Sequence, residues 1–337
     1  MKEITNMEMS YFAGIFDGDG SFSLCKKIEN INYSPLYYPL IQLSTTNFCL
    51  IDMLLDTFGG NVTPRKAYID KNNISHKKSI KWKLEKRNKC FPFLEKIVPF
   101  LIIKQERASF LIDFINYFPF KRGSKKIDEN ILNKKEKSYI KMHSFNHSIK
   151  KPLFKFPKKR IQSEDDIFWN YFAGLMDTDG SFSLKREVNK RYAPIISISM
   201  VDSVALFKIV QNCKYGRMYI IKAKTSRNGH SYRYMIGSLQ ESILFLEKII
   251  PYLRLKKKQA SILLEYCLDK KQKSKLDIKI CEQYYKSMIE ANNGVYKPSL
   301  IDLEAVPDNA DGDRAEDASR GERLSEKARK GCDSLNS

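Results

Sequence analysis

A chain of 337 residues has room for about two domains, and its formal charge of +20 is unevenly spread: residues 302–337 hold ten acids and six bases, so residues 1–301 carry +24. A surplus of that size favours a polyanionic partner, nucleic acid well ahead of an anionic membrane surface, because each neutralised phosphate releases condensed counterions. No apolar run approaches the roughly eighteen residues of a membrane span. Seven scattered cysteines without a CxxC pair, and only four histidines, argue against a zinc site and for buried thiols in a reducing compartment.

In chain order, the first predicted element is a helix whose apolar stretch ends in YFAGIFDG at residues 11–18. The DG that follows stops it. Short β-prone runs cover 21–27 and 40–44, an Asn/Tyr/Pro-rich loop spans 30–39, and an amphipathic helix over 47–58 is stopped by Gly59-Gly60. Strands at 61–68 and 80–84 and two further helices complete the unit. A Lys/Pro-rich linker is placed at 148–162. Ser163 with Asp166 reads as a capping box opening the next helix, followed by strands at 181–187 and 194–200, a helix at 203–212, and strands at 217–223 and 232–236. Ser238 with Glu241 fits a capping box for the first of two closing helices. The polar segment 302–337 reads as disordered.

The same order occurs twice because the chain is an internal duplication. Residues 11–24 read YFAGIFDGDGSFSL and residues 171–184 read YFAGLMDTDGSFSL, identical at eleven of fourteen positions. FLEKIVPFLIIKQERAS at 93–109 returns as FLEKIIPYLRLKKKQAS at 245–261. Repetition over such lengths predicts an α+β fold of two pseudo-symmetric α-β-β-α-β-β-α-α domains, 1–147 and 163–301, joined by the linker.

Each opening motif ends in DxDG. Ala13-Gly14 and Ala173-Gly174 would let two helices approach with their backbones nearly touching, which predicts an interface between the halves and brings Asp19 and Asp179 together at the helix C-termini. There the carboxylates repel each other and oppose the helix dipole. Divalent cations between them resolve both problems, and an all-oxygen ligand set favours Mg²⁺. Metal-assisted phosphodiester hydrolysis is the chemistry this arrangement suits. Asp17 and Asp177 fall about 200° around the helix and are expected to cap or brace the turn. An EF-hand reading fails, since the sixth loop position is Phe22 or Phe182 and the twelfth Ile28 or Val188.

These motifs resemble those of the LAGLIDADG homing endonucleases in their single-chain, two-repeat form, over about residues 8–290, with the nine-residue motif on 12–20 and 172–180. The resemblance implies that Asp19 and Asp179 are the catalytic metal ligands of a monomer binding two or more Mg²⁺ ions, with Mn²⁺ able to substitute. It implies that the Gly18 and Thr178 carbonyls also face metal, and that Lys104 and Lys256 assist at the scissile phosphate. A water-positioning Gln found in some members has its nearest counterparts at Thr45 and Met200, while Gln42 faces the opposite side of the strand if Thr45 faces DNA.

Bases alternate along several strands, which places one face of each sheet on a ligand. Lys26, Arg65, Lys81, Lys83, Lys185, Lys222, Lys224 and Arg233 are the expected DNA contacts of a basic two-sheet saddle in the major groove. The leading expectation is a site-specific double-strand endonuclease with a long, partly palindromic target, and the resemblance implies that it leaves 5′-phosphates and short 3′ overhangs. The alternatives are a maturase that binds its host intron RNA and a DNA binder without cleavage; retention of both acids favours the nuclease. No membrane partner is expected. The opening MKEITNMEM lacks a signal-peptide core or transit pattern. With the prominence of residues from A/T-rich codons, this suggests expression inside an organelle from an intron or free-standing frame.

Overall fold

The structure is a computed structural model that describes residues 3–28, 34–69, 75–118, 128–145, 160–187, 191–221, 231–273 and 276–293. Most of the linker (148–159), the segment 302–337, and Lys222 and Lys224 lie outside the described residues.

The first half runs α1 (Asn6–Gly18), β1 (Gly20–Lys27), β2 (Leu36–Thr45), α2 (Phe48–Phe58), β3 (Asn61–Arg65), a short hairpin of β4 (Tyr68–Ile69) and β5 (Ser75–His76), β6 (Ser79–Leu84), α3 (Arg87–Ile97), α4 (Gln105–Tyr117) and α5 (Glu129–Ser144). The second runs α6 (Asp166–Asp179), β7 (Gly180–Arg186), β8 (Tyr192–Met200), α7 (Ser203–Asn212), β9 (Arg217–Ile221), β10 (Ser231–Ile236), α8 (Leu239–Ile249), α9 (Lys257–Gln272) and α10 (Ile278–Asn293). Each half holds a four-stranded antiparallel sheet, ordered β1-β2-β6-β3 and β7-β8-β10-β9. Pro39 and Pro194 are tolerated in the second strand of each sheet because pairing on their far side starts only at Ile41 and Ile196.

Each sheet turns one face to the helices. Phe22, Leu24, Ile41, Leu43, Trp82 and Leu84 are buried in the first half, and Phe182, Leu184, Ile196, Ile198, Tyr234 and Ile236 in the second. Phe16 packs edge-on against Trp82 and Phe93, and Phe172 against Tyr234 and Phe245.

Five local expectations are corrected. Three helices, rather than two, follow each fourth strand. The additional ones, α5 and α10, share a repeat that only their equivalent positions expose: Glu136, Tyr139 and Met142 match Glu282, Tyr285 and Met288, both methionines being buried. The third strand stops at Arg65 rather than 68, where its ladder with β6 ends opposite Ser79. β2 begins at Leu36, inside the expected loop, because it pairs with β1 through Lys27. Helix α6 is capped by Asp165, whose carboxylate accepts from the Ile167 N–H, so the Ser163/Asp166 box does not form. Ser163 instead accepts from the Asp165 N–H. A complete capping box opens the other copy, where Thr5 and Glu8 bond reciprocally. Ser238 caps α8, but the Glu241 carboxylate turns to the Gly216 N–H.

The end of the linker is already part of the second unit. Arg160 donates to the carbonyls of Val210, Cys213, Tyr215 and Gly216, and the Ile161 and Ser163 N–H groups bond to Gln211 and Asn212. A guanidinium spreads its donors in a plane, which suits the orphan carbonyls at the end of α7 and the turn beyond.

Candidate active site

Helices α1 and α6 meet at equivalent positions and run side by side in the same direction. A Cβ added at Gly14 would lie 2.1 Å from the Tyr171 carbonyl oxygen, and one at Gly174 would lie 2.1 Å from that of Tyr11. Only glycine allows the two backbones to touch there. The interface expected from the Ala-Gly pairs is therefore present.

The first acid of each motif is sealed into this interface. Asp17 accepts from the Ile102, Ile103 and Lys104 N–H groups at 2.7, 3.0 and 2.9 Å, and from the Tyr171 hydroxyl at 2.9 Å. Asp177 accepts from the Arg254, Leu255 and Lys256 N–H groups at 2.9, 3.0 and 2.9 Å, and from the Tyr11 hydroxyl at 2.8 Å. Both carboxylates thus brace a turn, as expected of them, but the turns are those that open α4 and α9 rather than the DG turns of their own motifs. Burial pushes the Asp177 carboxyl up against these hydrogen bonds, and it lifts the Tyr11 and Tyr171 hydroxyls well above the ordinary tyrosine value. The halves differ beside these acids. The Arg254 guanidinium lies over the Tyr11 ring, 4.4 Å from its centroid, where the first half has Ile102.

The second acids emerge where the helices end. Asp19 is the C-cap residue of α1 and Asp179 the last residue of α6. Gly18 lies across the interface from the second acid, since a Cβ on it would be 2.2 Å from Thr178 Oγ1 and 3.2 Å from Asp179 Oδ2. Glycine at 18 is what lets threonine stand at 178. Both carboxyls face solvent on one side, yet the surrounding protein desolvates them and raises their pKa, with the Asp179 charge raising Asp19 further. Two crowded carboxylates, with the carbonyls of Gly18 and Thr178 beside them, form an oxygen donor set that fits hard divalent cations.

Lys104 and Lys256 fold back over these turns. The Lys104 ammonium donates to the Phe16, Gly18 and Gly20 carbonyls at 2.8, 2.9 and 2.7 Å. Lys256 donates to Met176, Thr178 and Gly180 at 3.1, 2.8 and 2.6 Å. Burial lowers both ammonium pKa values, that of Lys104 to about 8, partly offset by the nearby aspartates.

The sheet faces turned away from the helices carry five of the expected bases, Arg65, Lys81, Lys83, Lys185 and Arg233. Lys83 stands between Gln42 and Asn61, Lys81 between Ser44 and Thr63, and Arg65 opposite Ser79. Gln42, Arg65, Lys81, Lys83 and Glu85 line an open cavity of about 250 Å³ with Leu40 and Thr63. Lys83 pairs with Glu85 at 3.1 Å. On the second sheet Arg233 donates to Ser199 at 2.9 Å and stands beside Tyr219, while Lys185 reaches Glu187 at 3.8 Å.

Three sequence-based placements change. Lys26 shares the helix-facing parity of Phe22 and Leu24 and pairs with Glu136 at 2.7 Å, so it anchors α5 instead of joining the basic face. Arg186, its equivalent, lies 3.6 Å from Glu282 on α10, and Tyr37 and Tyr192 donate to the same two glutamates. Thr45 turns to the helix side, where its hydroxyl accepts from the Asn47 N–H, and Met200 packs on the core. Gln42 is the residue on the basic face. Register with β6 decides this, because a one-residue change of parity exchanges the two faces. Sequence reasoning also missed Tyr11 and Tyr171, whose recurrence inside the repeat was the available signal, and Arg254, for which there was none.

No protein-family model matches the chain, and no curated protein matches it in sequence. Solved structures do match. The LAGLIDADG homing endonuclease I-SmaMI bound to cleaved DNA superposes with a TM-score of 0.62 at 16% identity, covering 87% of this chain and 98% of that one. I-SmaMI bound to uncleaved target with calcium ions gives 0.60 at 16%, covering 86% and 99%. The LAGLIDADG homing endonuclease I-GzeII in complex with its DNA target gives 0.61 at 14%, covering 88% and 99%. The chain has the fold of these two-domain proteins.

Proposed function

We propose that this protein, sharing its fold with the LAGLIDADG homing endonucleases, is a site-specific double-strand DNA endonuclease acting as a monomer. The observation that carries the reading is the placement of Asp19 and Asp179 at the joined ends of two helices in backbone contact. Each half adds a four-stranded sheet with bases on its open face, Arg65, Lys81 and Lys83 on the first and Lys185 and Arg233 on the second.

Asp19 and Asp179, with the Gly18 and Thr178 carbonyls, would hold divalent ions, Mg²⁺ with Mn²⁺ able to substitute. Such ions, when bound, supply charge stabilisation at the scissile phosphate and water acidic enough to attack it. The chain's own residues do the rest. Arg65, Lys81, Lys83, Lys185 and Arg233 hold the backbone and read base edges from the open sheet faces. The helix contact fixes the separation of the two acids, which supports cutting of the two strands at a set stagger; the fold resemblance supports products with 5′-phosphates and short 3′ overhangs. The sheets differ in their open-face residues, and the target is accordingly long and only partly palindromic. The composition supports an organelle-encoded frame carried by an intron.

The test incubates the purified chain with a DNA library that includes candidate intron-insertion sites, with Mg²⁺ or EDTA, and sequences the cut ends. Discrete Mg²⁺-dependent breaks at one long site are expected. Absence of cleavage together with salt-sensitive binding of intron RNA would replace the nuclease by a splicing cofactor.

A further inference from the structure

Duplication gives every open-face residue of one sheet a counterpart on the other. Gln42, Lys83 and Asn61 form a row across β2, β6 and β3, and Ser197, Met235 and Arg217 form the equivalent row across β8, β10 and β9. The buried faces keep one character, with Trp82 matched by Tyr234 and Leu84 by Ile236. The open faces do not: a lysine between two amides on the first sheet becomes a methionine between a hydroxyl and a guanidinium on the second.

Ile195 lies two residues before Ser197, the partner of Met235, so Ile195 and Met235 are diagonal neighbours. Both are half-buried and alternate with the buried Ile196, Tyr234 and Ile236, which places them on the face turned away from the helices. Leu40 is the counterpart of Ile195, but its diagonal neighbour is Lys83. Cations stand around the aliphatic pair. Arg217 is opposite Met235, Arg233 is two residues before it, and Lys185 is two residues beyond Ser183, the partner of Ile195.

An apolar centre with cationic margins suits the major groove, where phosphates line both edges and the one apolar group on the base edges is the C5-methyl of thymine. The unbranched, adaptable side chain of methionine packs readily on such a group. We propose that Ile195 and Met235 are specificity-determining residues that read thymine methyl groups: the half-site beneath the second sheet is recognised at its thymines by apolar contact, in a way that the first sheet, with Lys83 in place of Met235, does not share. This recognition rests on the nuclease reading for its DNA partner, and it distinguishes the two halves of the target chemically.

In the experiment, the full chain selects duplexes from a random library with Ca²⁺ in place of Mg²⁺. Dissociation constants are then measured for the selected duplex with deoxyuridine replacing thymidine in one half-site at a time. That substitution deletes the methyl group and leaves the hydrogen-bonding edge and the charge unchanged. Losing one buried methyl contact weakens binding about fourfold. The expected loss is about tenfold or more in the half-site beneath the second sheet, where two aliphatic side chains reach thymines, and less than about threefold in the other. Met235→Gln and Ile195→Ser change no charge and identify the halves. Each should weaken binding of the thymidine duplex and shrink the uracil effect in one and the same half-site, and the double variant should bring it there to within about twofold. Equal uracil effects in the two half-sites, no effect in either, or an effect that survives in both variants would overturn the inference while leaving site-specific DNA binding intact. Selection of no preferred duplex would remove the nuclease reading and this recognition with it. Should one variant not fold, the other variant and the uracil series on the wild-type chain still decide.

Discussion

The hydroxyl of Tyr11 donates to the carboxylate of Asp177 at 2.8 Å across the two halves, and that carboxylate also holds the three N–H groups that open α9. Tyr171 and Asp17 form the reciprocal bond at 2.9 Å. Each half therefore orders the other's lysine-bearing turn, and the composite site depends on the halves staying docked.

Tyr11→Phe keeps the ring beneath Arg254 but removes the donor to a buried carboxylate. The expected loss is about 1.5–3 kcal/mol, the range for a hydrogen bond to a charged group. Urea unfolding of Tyr11→Phe, Tyr171→Phe and the double variant measures it. A loss near zero would mean that the three backbone donors suffice for Asp177.

Gly14→Ala would drive a methyl group into the Tyr171 carbonyl. No rotamer change relieves a clash with backbone, so the helices must separate, at a cost of about 3 kcal/mol or more. Thermal unfolding should fall accordingly. Cleavage should fall further than stability requires, because the acids lose their spacing.

Asp19→Asn or Asp179→Asn should leave DNA binding within a few fold and reduce double-strand cleavage by roughly a thousandfold, equivalent to about 4 kcal/mol of transition-state stabilisation. Plasmid nicking assays beside gel-shift titrations separate the two effects. Cutting of both strands by both variants would remove these acids from the reaction.

Lys83→Ala should weaken DNA binding and flatten the slope of log affinity against log salt by about one unit, as for one lost phosphate contact. Lys26→Ala should leave the slope unchanged, because that ammonium is turned to Glu136. Equal effects of the two would contradict the assignment of sheet faces.

Glu136 is held below the ordinary carboxyl value of 4.5 by hydrogen bonds from Lys26 and Tyr37. A depressed folded-state pKa contributes stability above the unfolded value that is lost as pH falls through the folded one. The protection of α5 amides against hydrogen exchange should therefore hold above that range and drop on acidification, and Glu136→Gln should lower it already at neutral pH.

Much of this architecture was legible in the chain itself. A repeated YFAG…DG segment states the duplication, the alternation of Phe22, Leu24 and of Ile41, Leu43 states which strand faces are buried, and the Ala-Gly pairs state where helices touch. These are local signals, because periodicity and residue size act over a few positions. Tertiary structure alone decided the rest. Whether Gln42 or Thr45 joins the basic face depends on register with β6, and whether Lys26 meets a ligand or Glu136 depends on a helix that packs 110 residues later. The clamping of the DG turns by Lys104 and Lys256 likewise joins segments more than 70 residues apart. Hydrogen-bond partners so distant leave no periodic trace in a sequence, and only the packed chain brings their donors and acceptors into reach.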